Sequence, residues 1–168
     1  MSSTFDSLGL AAPLVHAVTE LGYTAPTSVQ AQTIPVALQG GDWMVSSQTG
    51  SGKTAAFLLP LLHRLLNGAA PAADRVATPR AVVLCPTREL AQQVASDAID
   101  LMRGVGSAMR ADSKHHPLRD AVRALRVATV VGGMPFGKQL FDLRGASLVI
   151  ATPGRLLDLH SRGQIRLD

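Results

Sequence analysis

Cysteine is nearly missing from this chain: Cys85 is the only one in 168 residues, so no internal disulfide can brace it and a disulfide-stapled secreted scaffold is excluded. Aromatic residues are few, with four Phe, one Trp and one Tyr, which leaves Leu, Val, Ile and Ala to fill the core. No apolar run approaches the roughly 20 residues of a membrane-spanning helix. The N-terminus also lacks the basic and apolar stretches of a secretion signal, and a cytoplasmic location is expected. No His, Cys, Asp and Glu spacing suits a protein-ligated metal centre, and neither paired carboxylates nor a Ser/His/Asp set stands out. Charge is sparse at the start, where residues 1–60 hold Lys53 against Asp6, Glu20 and Asp42. The rest of the chain has 15 basic and 9 acidic residues, a net of +6, which suits a polyanionic partner but also many ordinary surfaces.

Among what is present, Ser47-Gln48-Thr49-Gly50-Ser51-Gly52-Lys53-Thr54 is the most informative stretch. Small residues let successive backbone N–H groups turn toward a phosphate, and a following helix adds the positive end of its dipole. In such a loop Lys53 reaches the β- and γ-phosphates and the Thr54 hydroxyl holds Mg²⁺. The pattern usually opens on glycine and here opens on Ser47. A flexible surface turn is the plain alternative, but Trp43 to Ser46 reads as a short apolar strand and Ala55 to Leu66 as an apolar helix. Strand, loop and helix in that order are what a phosphate loop requires.

Length suggests one domain. Leu10, Leu14, Val18 and Leu21 recur at helical spacing and predict an amphipathic helix over 11–21 ended by Gly22. A second helix starts near Thr27 and closes at Gly40-Gly41. Residues 67–80 turn Ala/Pro-rich and read as a surface connection. Apolar runs at 81–85, 127–131 and 147–151 read as strands, and Leu90, Val94, Ala98 and Leu101 predict a helix ending near Arg103. Cys85 falls in a strand and is expected to be buried. Strands without polar alternation, alternating with helices, indicate an α/β fold with a mostly parallel sheet and helices on both faces. Ligands bind such sheets beyond the carboxyl ends of the strands. The segments 47–54, 86–91, 132–134 and 152–155 each follow a strand in this reading and should share one edge.

Taken in order, these segments resemble the DEAD-box ATP-dependent RNA helicases, in particular the first of their two RecA-like domains. Gly22-Tyr23-Thr24-Ala25-Pro26-Thr27-Ser28-Val29-Gln30 is similar to the Q motif, with Phe5 upstream, and 47–54 is similar to motif I, in which a small residue such as Ser47 is tolerated. Pro86 to Ala91 resembles motif Ia, Gly132-Gly133 the glycine pair, and Thr152-Pro153-Gly154-Arg155 motif Ib. The resemblance divides the chain into a Q-motif helical region, 1–40, and a partial RecA-like ATP-binding domain, 41–168.

The resemblance implies ATP and Mg²⁺ as ligands. Nucleotide contacts would come from Phe5, Tyr23, Thr27, Gln30 and Ser47, Gln48, Thr49, Gly50, Ser51, Gly52, Lys53 and Thr54, with Lys53 and Thr54 also serving catalysis and Thr54 the metal. Phe5 would stack on adenine. The Gln30 carboxamide carries one donor side and one acceptor side, matching adenine N7 and N6, yet Thr27 and Gln30 also have the spacing of a capping box. Without the resemblance Tyr23 and Trp43 read as packing residues. RNA contacts would come from Pro86, Thr87, Arg88, Gly132, Gly133, Thr152, Pro153, Gly154 and Arg155, gripping the backbone of single-stranded or duplex RNA without sequence readout. Plainer readings remain for each: Arg88 as a surface arginine paired with Glu89 or Asp120, the glycines as an ordinary turn, Thr152 and Pro153 as a helix cap. Lys114, His115, His116, Arg119, Arg123 and Arg126 make a basic patch that reads as a solvated face.

No Asp-Glu-Ala-Asp stretch occurs, and Asp158 and Asp168 do not sit where the family places it. The segment is therefore expected to be incomplete at its C-terminus and to bind nucleotide without hydrolysing it. The parent protein would be an ATP-hydrolysing RNA helicase with a second RecA-like domain. A non-catalytic nucleotide- or RNA-binding module and a small phosphate-loop kinase are the competing readings.

Overall fold

Periodicity in the first third of the chain produces three helices. The computed structural model describes residues 3–69, 76–111 and 116–167. A short 3-10 turn at Phe5–Leu8 precedes α1 (Ala12–Glu20), α2 (Ser28–Gln39) and α3 (Lys53–Asn67). Leu14, Ala17 and Val18 of α1, Ile34 of α2 and Leu58, Leu59, Leu62 and Leu66 of α3 are buried. A polar tie joins the ends of this layer: the Ala11 N–H donates to His63 Nδ1 at 3.0 Å. Burial lowers the His63 pKa, which keeps Nδ1 unprotonated and able to accept near neutral pH.

The chain folds as two compact units, residues 1–67 with 100–122, and residues 68–99 with 123–168. The second contains the sheet: β1 (Ala81–Leu84), β2 (Val127–Val130) and β3 (Leu148–Ala151), in the order β1-β3-β2 with every pairing parallel. All four residues of β3 are buried, as expected for a central strand without alternation. α6 (Phe136–Leu143) links β2 to β3, and α7 (Pro153–Ser161) follows β3. Leu143, Leu156, Leu159 and Ile165 pack with Val130, Val149 and Ala151 in one core cluster. An isolated parallel bridge between Ala77 and Ile165 pins the approach to β1. Cys85, one residue past β1, is buried, and burial raises its thiol pKa.

Four expectations are corrected. Trp43 to Ser46 forms no strand. Among the described residues no strand pairs with this backbone, and the run stays largely in solvent, with Met44 98% exposed. Trp43 is likewise exposed rather than packed, its indole N–H donating to the Gly40 carbonyl at 3.0 Å. The helix predicted to end near Arg103 runs on as α4 (Arg88–Ala111), and Leu90 is exposed while Ala91, Val94, Ala98, Leu101, Val105 and Met109 form its buried face. α5 (Arg119–Ala124) follows. Residues 70–75 of the Ala/Pro-rich connection, and Lys114 and His115 of the basic patch, lie outside the described residues. Among the described residues no helix is long and apolar enough to cross a membrane.

Gly104 explains why α4 does not stop at its glycines. A Cβ there would lie 2.7 Å from Ala17 Cβ and 2.8 Å from Ala17 Cα, so the glycine permits a backbone approach between α4 and α1 that no other residue allows. Gly106 has only the flexible Arg110 guanidinium near it, at 3.6 Å. Gly104→Ala is therefore expected to lower stability by about 1–3 kcal/mol, whereas Gly106→Ala should raise it by up to about 1 kcal/mol through helix propensity. Thermal unfolding of the two variants checks this, and equal shifts for both would contradict the close approach.

Candidate functional site

In the first unit, the site begins at the N-terminus of α2. Thr27 takes extended backbone angles and caps the helix, its Oγ1 accepting the Gln30 N–H at 3.3 Å while Gln30 Oε1 accepts the Thr27 N–H at 3.0 Å. The capping box implied by the spacing is thus formed. The other end of the carboxamide does more: Gln30 Nε2 donates to the Gly52 carbonyl at 3.2 Å, and the side chain is only 1% exposed. One amide therefore joins the start of α2 to the loop at 47–54.

That contact dictates the residue at position 52. Gly52 has φ +85, and a Cβ on it would sit 2.4 Å from Gln30 Nε2 and 3.2 Å from Thr27 Oγ1. Gly50, at φ +78 and facing open space, supplies the other left-handed turn. The Ser51 N–H donates to the Gln48 carbonyl at 3.3 Å, and Ser47 Oγ and Ser51 Oγ lie 2.5 Å apart. Lys53 Nζ donates to the carbonyls of Ser47 and Gln48, so the loop curls around the ammonium. α3 starts at Lys53, and the Ala56 N–H is the first in it to reach back, to the Gly52 carbonyl at 3.1 Å. The N–H groups of Lys53, Thr54 and Ala55 have no carbonyl one turn before them within the helix. A cation, a helix start and left-handed glycines are the features with which a loop can receive an anion.

Thr49 sits in the loop, and Thr54 in the first turn of α3. Phe5 is buried, 4% exposed, with Tyr23 edge-on to it at 6.3 Å between ring centroids, so these two aromatics contact each other and Phe5 helps fill the core. Beside the loop, a cavity of about 500 Å³ is lined by Thr27, Ser28, Val36, Trp43, Ser47 and Ser51 among others. Its size suits a small molecule.

The second unit gathers the remaining segments. Because β1, β3 and β2 are parallel, the residues after each emerge at one carboxyl edge. After β1, Pro86 leads to Thr87, whose Oγ1 accepts the Leu90 N–H at 3.2 Å and caps α4, and Arg88 opens that helix. After β2, Gly132 stands in open space and Gly133 adopts φ +79. The Arg88 guanidinium lies over Gly133, with Nη1 2.7 Å from where a Cβ would be. After β3, Thr152 has capping backbone angles, but its hydroxyl makes no cap hydrogen bond. Capping alone therefore does not account for that hydroxyl. Pro153 takes the first helical position, where its missing N–H has no consequence, and Gly154 follows with open space where a Cβ would lie. Arg155 Nη2 reaches the Met134 carbonyl at 3.5 Å, Nη1 lies 3.5 Å from Asp158 Oδ2, and the guanidinium stands 6.0 Å from the Phe136 ring centre. Arg88, Gly133, Met134 and Arg155 are thus brought together.

Sequence reasoning missed Gln139. It lies on α6, completely buried, and its Nε2 donates to the Val131 carbonyl at 2.5 Å while its Oε1 has no partner among the described residues. Leaving such an acceptor buried costs about 1–3 kcal/mol. The signal was its position: Phe136, Gln139, Leu140 and Leu143 share one helical stripe, where a lone amide interrupts an apolar face.

Known proteins are similar to this chain in sequence and fold. The DEAD/DEAH box helicase family model matches residues 27–167. The ATP-dependent RNA helicase RhlB of Pseudomonas aeruginosa is 40% identical over 166 residues, 98% of this chain and 37% of that protein. The ATP-dependent RNA helicase DeaD of Escherichia coli is 43% identical over 167 residues, 99% of this chain and 23% of its own length. The crystal structure of the RNA helicase Prp28 from Chaetomium thermophilum bound to ADP superimposes with a TM-score of 0.77 at 36% identity, covering 97% of this chain and 35% of that one. A hypothetical ATP-dependent RNA helicase from Sulfolobus tokodaii gives 0.69 at 38% identity, over 91% and 37% of the two chains. The chain spans little more than a third of the RhlB relative. With its parallel α/β sheet and its ordered loops, this chain belongs to the DEAD/DEAH box helicase family, alongside the DEAD-box RNA helicases.

Proposed function

We propose that this chain is the ATP- and RNA-binding N-terminal segment of an ATP-dependent RNA helicase, which unwinds or remodels RNA duplexes using ATP hydrolysis. The observation that carries the nucleotide part is the Gln30 amide bound at once to the α2 cap and to Gly52 of the phosphate loop. Adenine recognition and phosphate binding then share one side chain. The residues present fit a phosphate chain, since the loop offers an ammonium, two left-handed glycines and the open N–H groups of a helix start. Lys53 would leave the Ser47 and Gln48 carbonyls for the β- and γ-phosphates, and Thr54 would offer its hydroxyl to Mg²⁺, which supplies countercharge to the phosphates. The exposed Tyr23 would lie against the base with Thr27 at its edge, and Phe5 would stack on adenine only by turning out from its contact with Tyr23 and the core. Each end of the Gln30 amide keeps capacity beyond its present partner, a second lone pair on Oε1 for N6 and a second N–H on Nε2 for N7, so adenine would add to the ties to Thr27 and Gly52 rather than break them.

Arg88, Arg155 and the Thr152 hydroxyl, which makes no cap hydrogen bond, would grip RNA phosphates and sugars, with Thr87, Gly132, Gly133, Pro153 and Gly154 shaping the backbone they approach. None of these presents a base-reading array, so affinity without sequence preference follows. Hydrolysis is assigned to the whole enzyme in the cytoplasm, acting with a second RecA-like domain, because no Asp-Glu-Ala-Asp carboxylates occur within these residues.

Gln30→Glu keeps the helix cap and removes the donor. The carboxylate retains an acceptor for the Thr27 N–H but has no donor for adenine N7 or for the Gly52 carbonyl, and the loss at Gly52 bears on ADP and GDP alike. Titration calorimetry with ADP and GDP is expected to show the ADP-over-GDP ratio falling about tenfold, and an unchanged ratio would remove base recognition from Gln30. For RNA, Arg88→Ala should reduce the steepness of the log affinity against log salt plot by about 0.7, one single-strand phosphate contact. An unchanged slope with single-stranded RNA would take Arg88 out of the interface.

A further inference from the structure

Gln139 is an unexplained liability in an otherwise apolar layer. Its neighbours on the helix stripe, Phe136, Leu140 and Leu143, belong to the core cluster or pack against it, and a methionine or leucine would continue that stripe with no polar atom to satisfy. The amide instead gives its donor to one backbone carbonyl, that of Val131, and leaves Oε1 buried without a partner among the described residues. Val131 is the last residue before Gly132-Gly133. The same short turn is held at its far end by Arg155 Nη2 on the Met134 carbonyl and is overlain in the middle by the Arg88 guanidinium at Gly133. A turn of four residues is therefore fixed at both ends by side chains from α6 and α7, and its left-handed glycine is the surface on which Arg88 rests.

We propose that Gln139 is a positioning residue for RNA binding: by holding the Val131 carbonyl it sets the Gly132-Gly133 turn, and the turn in its place sets where the Arg88 guanidinium meets a phosphate. The inference rests on the RNA-binding reading of this edge. Gln139 is buried and touches no ligand itself; its effect passes through the backbone to a cation at the surface. Loss of the hydrogen bond frees the carbonyl, lets the turn relax, and removes the fixed seat of Arg88. The protein can remain folded when this happens, because the same change abolishes an orphaned buried acceptor.

The test is Gln139→Met, unbranched and of similar length, with Gln139→Leu as the second variant, each in the 168-residue chain. Thermal unfolding is measured together with binding of a single-stranded oligo-uridine across a salt series. The expected result is an unfolding temperature at or above that of the unaltered chain, RNA affinity lower by about three- to tenfold, and a salt slope shallower by about 0.7, the signature of one lost phosphate contact. RNA binding within twofold of the unaltered chain would overturn the positioning role while leaving the RNA-binding reading in place. Failure of the unaltered chain to bind the oligonucleotide would overturn both. A marked drop in unfolding temperature for both variants would also overturn it, by showing the amide to be a structural brace.

Discussion

The two hydrogen bonds of the Gln30 side chain, to the Thr27 N–H and to the Gly52 carbonyl, are the constraint on which the first unit turns. A buried amide is costly unless both of its ends are satisfied, and here each end serves a different element. The acceptor completes a helix cap; the donor fixes the carbonyl from which α3 takes its first backbone bond, since Ala56 reaches back to the same Gly52 oxygen. Position 52 is consequently restricted to glycine by contact as well as by its positive φ. The apolar face of α3 then anchors the loop from the other side, with Leu58, Leu59 and Leu62 fully buried. A rigid helix, a fixed first carbonyl and two left-handed glycines leave the loop few ways to fold, and those ways direct N–H groups outward from the start of α3.

The second unit solves a related problem by different means. Parallel strands deliver three segments to one edge, but delivery alone does not orient side chains. Orientation comes from contacts between the segments: Arg88 over Gly133, Arg155 on Met134, Gln139 on Val131. Each pins a backbone that would otherwise be a free turn. The edge is thus organised as one cationic surface rather than as three separate loops, and such a surface suits a ligand recognised by its repeating charge.

Much of this was legible in the residues. The β-strands at 81–84, 127–130 and 148–151 announced themselves as uninterrupted apolar runs between turn signals, and α1 and α2 by spacing and by the Gly22 and Gly40 that follow them. The Thr27 and Gln30 spacing foretold the capping box, though not that the amide's other end would reach a loop 22 residues away. What failed was whatever depended on distant partners. Trp43 to Ser46 has strand composition but no strand paired with it among the described residues, and β structure requires a ladder where a helix does not. Gly104 resembles a helix stop until Ala17 is seen against it. Thr152 looks like a cap, yet its hydroxyl takes no part in one. Gln139, one amide in an apolar stripe, was visible all along, but its partner carbonyl was not.

Amide hydrogen exchange of this chain with and without saturating Mg²⁺-ADP tests the central claim most directly. The account predicts slowed exchange concentrated at Gly50, Ser51, Gly52, Lys53 and Thr54, where the open N–H groups of the loop and the α3 start acquire phosphate oxygens as acceptors. Unchanged exchange at these amides at saturation, or protection located elsewhere in the chain, would contradict it.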